Sequence, residues 1–187
     1  GLGDVYKRQV DDRLANVISF EQRKSINEPL YRGQIYIDME NNALLRVDFE
    51  VNPQYIEQAA GMFVERKSRN LRITPQKVAY TVSYKQWNGT YYINHIRGDL
   101  HFKIKKRRQL FNTNILHTWF EMVTCKIDTA NVNRFSRIES LPTRTVFSDT
   151  HFNYDEGFWG DFNVILPEDK LNEAISRITS KIEETNY

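Results

Sequence analysis

The chain has 187 residues and a single cysteine, Cys125, so it can form no intramolecular disulfide and its redox compartment cannot be read from cysteine usage. Net charge is scarce too. Twenty-six Lys and Arg against 24 Asp and Glu leave +2, too weak a field to draw nucleic acid, which is not an expected partner. No apolar run approaches the ~20 residues of a membrane-spanning helix. No HExxH, CxxC or EF-hand pattern occurs, so no metal site and no cofactor are expected. Nor is there an internal repeat beyond recurring hairpins. What is present is aromatic: Phe, Tyr and Trp make up 13% of the chain, and such side chains fill pleated surfaces. The length suits one domain with a real core.

The organising stretch is Tyr31 to Val51. Ile35, Ile37 and Met39 alternate with Gln34, Tyr36 and Asp38. Leu45, Val47, Phe49 and Val51 alternate with Leu44, Arg46, Asp48 and Glu50. A period of two with β-branched residues predicts two half-buried antiparallel strands. Glu40-Asn41-Asn42 supplies the turn, because Asn tolerates a left-handed backbone.

The same device recurs along the chain. Asn16–Gln22 predicts a strand, followed by a polar connection through Pro29. Asn52-Pro53 signals a helix start, and Ile56, Ala59, Ala60 and Phe63 fit a short helix near residues 53–64. Lys77–Gln86 predicts a strand ending at Asn88-Gly89, the strongest hairpin signal present. Asn88-Gly89-Thr90 also matches a glycosylation sequon, but the turn explains it more simply. The return strand is long, and Gly98 within it predicts a bulge or bend. Asn112–Ile127 predicts another strand, apolar on both faces and therefore expected to be covered on both. A further strand is expected at Thr143–Phe147. Pro167-Glu168-Asp169 opens a predicted C-terminal helix, with Leu171, Ala174, Ile175, Ile178 and Ile182 in one apolar stripe.

Candidate chemistry is thin. His95 and His101 share a face but lie too far apart along one strand to ligate a single metal. Cys125 is expected to be a buried, inert thiol within its strand. Lys103, Lys105, Lys106, Arg107 and Arg108 form a basic run at a strand end, expected to be a solvated turn that protects a sheet edge. The segment Tyr154–Asp161 places Tyr154, Phe158 and Trp159 among carboxylates and glycines, a composition able to stack on a sugar or to plug a sheet core.

The opening residues, GLGDVYKRQ, look like a translated sequencing-adapter remnant. Residues 1–9 are therefore expected to be a non-native tail, and 10–187 one β-rich domain that is the C-terminal fragment of a longer protein. The pattern Tyr31-x-Gly33-x-Ile35-x-Ile37-Asp38, with Phe158-Trp159, Asn163 and Pro167, resembles the C-terminal portion of the Bacteroidetes carboxypeptidase-like regulatory domain-containing proteins. That resemblance spans nearly all of the chain after its start and rests on sheet and turn residues. It implies a cell-envelope protein of the periplasm or cell surface. It implies no carboxypeptidase chemistry, because the zinc ligands of such an enzyme have no counterpart here.

The expected fold is mainly β, with some helix. A curved antiparallel sheet or half-barrel of long strands carries the C-terminal helix packed on it. The expected function is non-enzymatic: an envelope domain binding an apolar ligand or a protein partner on the curved sheet. Expected lining residues are Leu45, Val47, Phe49, Tyr80, Tyr84 and Trp119, with Tyr154 and Trp159 from the aromatic loop. The alternatives are a scaffold module of a surface assembly and a hydrolase using the acidic loop at 154–161.

Overall fold

The computed structural model describes residues 2–64, 69–107, 113–130, 132–138, 140, 142 and 145. The chain divides into two compact units, Gly1–Thr124 and Cys125–Tyr187. The first unit is a seven-stranded antiparallel meander: β1 (Leu2–Val10), β2 (Arg13–Phe20), β3 (Tyr31–Asp38), β4 (Leu44–Val51), β5 (Leu71–Trp87), β6 (Thr90–Lys106) and β7 (Thr113–Val123). Each strand pairs with its neighbour in sequence, and β1 does not close onto β7.

Local chemistry explains the turns. β1 and β2 join through Asp11 and Asp12, whose φ values of 45° and 64° are those of a tight hairpin. Asn42, at φ 59°, turns β3 into β4, and Asn88 and Gly89, at 47° and 79°, turn β5 into β6. The Asp-Asp turn was not among the sequence expectations. Residues 2–10, which include most of the stretch expected to be a non-native tail, form β1, paired with β2. Between β4 and β5, Asn52 accepts a hydrogen bond from the Gln54 N–H, and the chain enters a 3-10 turn at Ile56–Ala59 and one α turn, α1, at Ala60–Phe63. The helix expected near 53–64 is thus real but shorter than proposed.

Of the sheet's register shifts, two lie near the β5–β6 tip and re-aim it there. In β4, Leu45 is the extra residue between the pairs Tyr36–Arg46 and Ile37–Leu44. It packs with Ala15, Val17 and Tyr36 instead of following Val47 and Phe49. In β6 the extra residue is Asn94. The irregularity expected at Gly98 therefore falls four residues earlier. Gly98 is instead the regular cross-strand partner of Phe120, whose ring lies where a Cβ would project. Bulges sharpen local twist, and at this end the β5–β6 tip reaches β3 past β4. Asn41 Nδ2 donates to the Tyr91 hydroxyl at 3.0 Å, and Tyr91 packs beside Tyr36 and Leu45.

The core has two parts. Ala15, Val17, Tyr36 and Leu45 form one, flanked by Tyr6, Val10 and Tyr91. Val51, Ile56, Ala59 and Val78 form the other, where the helical turns cover the opposite face with Tyr31, Phe63, Tyr80 and Leu100. Pro75 is tolerated inside β5 because the strand has there outrun β4 and pairs only with β6.

β7 does not match its expectation of cover on both faces. Ile115 is 75% exposed and Met122 60%, with Leu116 and Phe120 also exposed. The strand stops at Val123, so Cys125 lies beyond it and is exposed, not a buried strand thiol. The expected strand at 143–147, the loop at 154–161 with Tyr154 and Trp159, and the C-terminal helix from residue 167 lie outside the described residues, except for Thr145, which carries no strand.

Candidate functional site

Period-two alternation divides the sheet into two chemically distinct faces. Val47, Phe49, Val78, Tyr80 and Val82 share one. Asp48 pairs with Thr81 and Gln34, Glu50 with Ala79 and Arg32, and Arg97 and Asp99 carry the same face across β6. This second face is polar over these four strands and merges at one end with the apolar cluster of Ala15, Val17, Tyr36 and Leu45.

Its middle is an open groove of about 900 Å³. Ser19, Gln34, Asp48, Glu50, Ala79 and Thr81 are among its sheet residues, and the segments 21–24 and 52–55 wall it. A hydrogen-bonded lattice stiffens the floor. Arg32 reaches Glu50 Oε1 through Nη2 at 2.7 Å and Nε at 2.9 Å. Arg46 Nε meets both oxygens of Asp48 at 2.9 Å, and the Thr81 hydroxyl donates to Asp48 Oδ1 at 2.8 Å. With Arg32 committed to Glu50 and Asp48 to Arg46, the lining retains Arg23, Lys24 and Lys77 as further positive charge against Glu21.

Beside the groove lies a second cluster. Asp99 pairs with Ala79, and His101 with Lys77, so its strand positions adjoin the groove floor. His117 on β7 is the direct cross-strand partner of His101. The two imidazoles stack with centroids 4.2 Å apart and planes 20° apart. Both Nε2 atoms address the same oxygen, Asp99 Oδ1, at 2.8 Å from His101 and 3.0 Å from His117. Partial burial pushes the Asp99 carboxyl upward, but the two imidazoles more than offset this and hold it below the usual aspartate range. An ionised carboxylate only accepts, so each ring presents an Nε2–H to it. Further along, Arg97 pairs with Glu121 at 2.6 Å and lies 5.2 Å over the Trp119 ring.

The residues expected to line one apolar cavity are divided. Phe49 and Tyr80 do meet, stacked at 5.2 Å, with Tyr31 edge-on to Phe49 at 5.4 Å. Val47 and Tyr84 share their face by alternation. Burial raises the Tyr80 phenol above its usual value. Leu45 belongs to the other core cluster, and Trp119 stands on the polar face beside Arg97. The histidine that meets His101 is not His95 but His117. No local pattern marks that pair, because it depends on the β6–β7 register. Alternation placed His101 on the charged side of its strand, but His117 shares the parity of Trp119, which was expected to line the cavity, so no local signal joined the two.

No protein-family model, curated protein or solved structure matches the chain.

Proposed function

We propose that the protein is a non-enzymatic binding domain of the cell envelope whose open groove takes an extended, acidic segment of a protein partner. The observation that carries this is the groove itself: open, with paired charges on its floor, and with Arg23, Lys24 and Lys77 against Glu21 in its lining. A pre-organised floor lowers the ordering cost of binding. The open side suits a chain laid across strands rather than an enclosed small molecule. The charged residues of the lining favour a protein partner, whose apolar side chains can meet Phe20, Phe49, Tyr55 and Tyr80 beside them. The envelope setting follows the resemblance at Tyr31–Asp38.

The test is selection of peptides from a displayed library against the whole chain, followed by resonance mapping of the selected binders. Acid-rich sequences are expected, shifting Ser19, Gln34 and Thr81, with affinity falling as salt rises. The double charge reversal Lys24→Glu and Lys77→Glu, at two exposed positions, is expected to weaken binding at least tenfold. Peptides that map elsewhere, or ignore the reversal, would remove the groove from the function. Saturable palmitate binding with no peptide binding would restore the apolar-ligand alternative.

A further inference from the structure

The Asp99–His101–His117 cluster has the composition and spacing of a metal centre. Its three ligand atoms lie within 4.8 Å of one another. Zinc bonds to imidazole nitrogen and carboxylate oxygen are about 2.0–2.1 Å, which in a tetrahedral shell places ligand atoms about 3.3 Å apart. The oxygen-to-nitrogen separations of 2.8 and 3.0 Å need open by only a few tenths of an ångström to admit an ion. Two imidazoles with one carboxylate is a donor set of borderline softness, suited to zinc and its neighbours and poor for calcium or magnesium.

We propose that Asp99, His101 and His117 form a site for a zinc-class divalent cation, with coordination positions left open to solvent beside the groove. Binding requires two local changes. Each ring moves its proton from Nε2 to Nδ1 through solvent, which frees the Nε2 lone pair for the metal. The nearly parallel rings must also tilt, since a shared ion has to lie in both ring planes. The His117 side chain, on β7, is 47% exposed and has room to turn. Antiparallel pairing supplies the rest: His101 and His117 are held opposite each other by the ladder, and Asp99 is two residues along the same face. Lys77, opposite His101, and Lys103, two residues on, put positive charge on the same face and oppose a cation. Micromolar affinity is therefore expected, not that of a closed structural site. Three protein ligands leave room for water or for a donor atom of a bound molecule.

The experiment is titration of zinc chloride into the tag-free chain by calorimetry, with cobalt(II) absorption as a spectroscopic check. One ion per chain is expected, with visible d–d bands for bound cobalt. His117→Ala and Asp99→Asn are each expected to weaken binding at least tenfold, and His95→Ala to leave it unchanged. Circular dichroism confirms that each variant is folded. His117 is exposed at the sheet edge, so its variant decides the matter even if His101→Ala does not fold. The proposal is overturned by the absence of saturable binding, or by binding that survives loss of both His101 and His117. Peptide binding in the groove is a separate readout, so the failure of either idea leaves the other standing.

Discussion

Replacing Gly33 by alanine tests the central register of the sheet. Gly33 pairs with Phe49, and a Cβ there would stand 2.1 Å from the Asp48 carbonyl oxygen and 2.7 Å from Phe49 Cα. Ordinary contact begins at 3.4 Å, so β4 would have to retreat by more than 1 Å. The obstacle is backbone, which no rotamer change relieves. Overpacking of this kind costs about 1–3 kcal/mol, and a weakened ladder bond adds about 1 kcal/mol. The stiffer unfolded chain returns about 0.4–1 kcal/mol. A net loss of about 2–3 kcal/mol is expected, a large share of the ~5–15 kcal/mol that stabilises a typical domain. With a urea slope of about 2–3 kcal/mol/M, the midpoint falls by about 1 M, read by tryptophan fluorescence. Gly98→Ala is the internal control. The three atoms nearest its Cβ all belong to the Phe120 ring, and Phe120 is 42% exposed and can swing outward. Its expected cost is about 1 kcal/mol or less, because the lost ring contact is offset by the same unfolded-state gain. Equal midpoints for Gly33→Ala and wild type, or equal costs for the two variants, would refute the distinction between a backbone wall and a movable ring.

Two further outcomes follow from other parts of the fold. Asp38 is buried; the Glu40 N–H, and next the Arg13 guanidinium, hold its carboxyl below the usual aspartate value of about 3.9. A lowered folded-state value means its contribution is complete above that pH and is lost as pH falls through the lower value. The urea midpoint of the wild type should therefore drop faster in acid than that of Asp38→Asn, and parallel curves would exclude the effect. At the β1–β2 turn, Asp11→Asn with Asp12→Gly places the preferred hairpin pair on backbone that already has positive φ. A gain of about 0.5–1 kcal/mol is expected, seen as a raised urea midpoint; a lowered midpoint would show that the aspartates serve the turn better.

The stacked His101 and His117 also bear on the folded state without any ion. Both rings depend on a single carboxylate oxygen for the hydrogen bonds described, while Arg97 is engaged by Glu121 two residues away. The polar face is thus organised as adjoining small networks across β6 and β7. These hydrogen bonds and ion pairs give its side chains defined positions.

Strand identity, the three hairpin turns expected or observed at asparagine, aspartate or glycine, and the polar-apolar alternation of β3 to β6 are local properties. They follow from side-chain period and from the backbone angles a few residues tolerate, and so most were legible in the sequence. Leu45, Gly98 and His117 show where local reasoning stops. A one-residue bulge transferred Leu45 to another cluster, although its alternation with Val47 and Phe49 was regular. Gly98 resembled a bend, yet its lack of a side chain makes room for a ring from the next strand. His101 found His117 only because the β6–β7 ladder set them opposite each other. Such partnerships depend on the register between strands, which many distant contacts decide together, and a register is not a property of either strand alone. The sequence by itself determined a polar and an apolar side for most strands; the tertiary structure decided which residues of the polar side stand together.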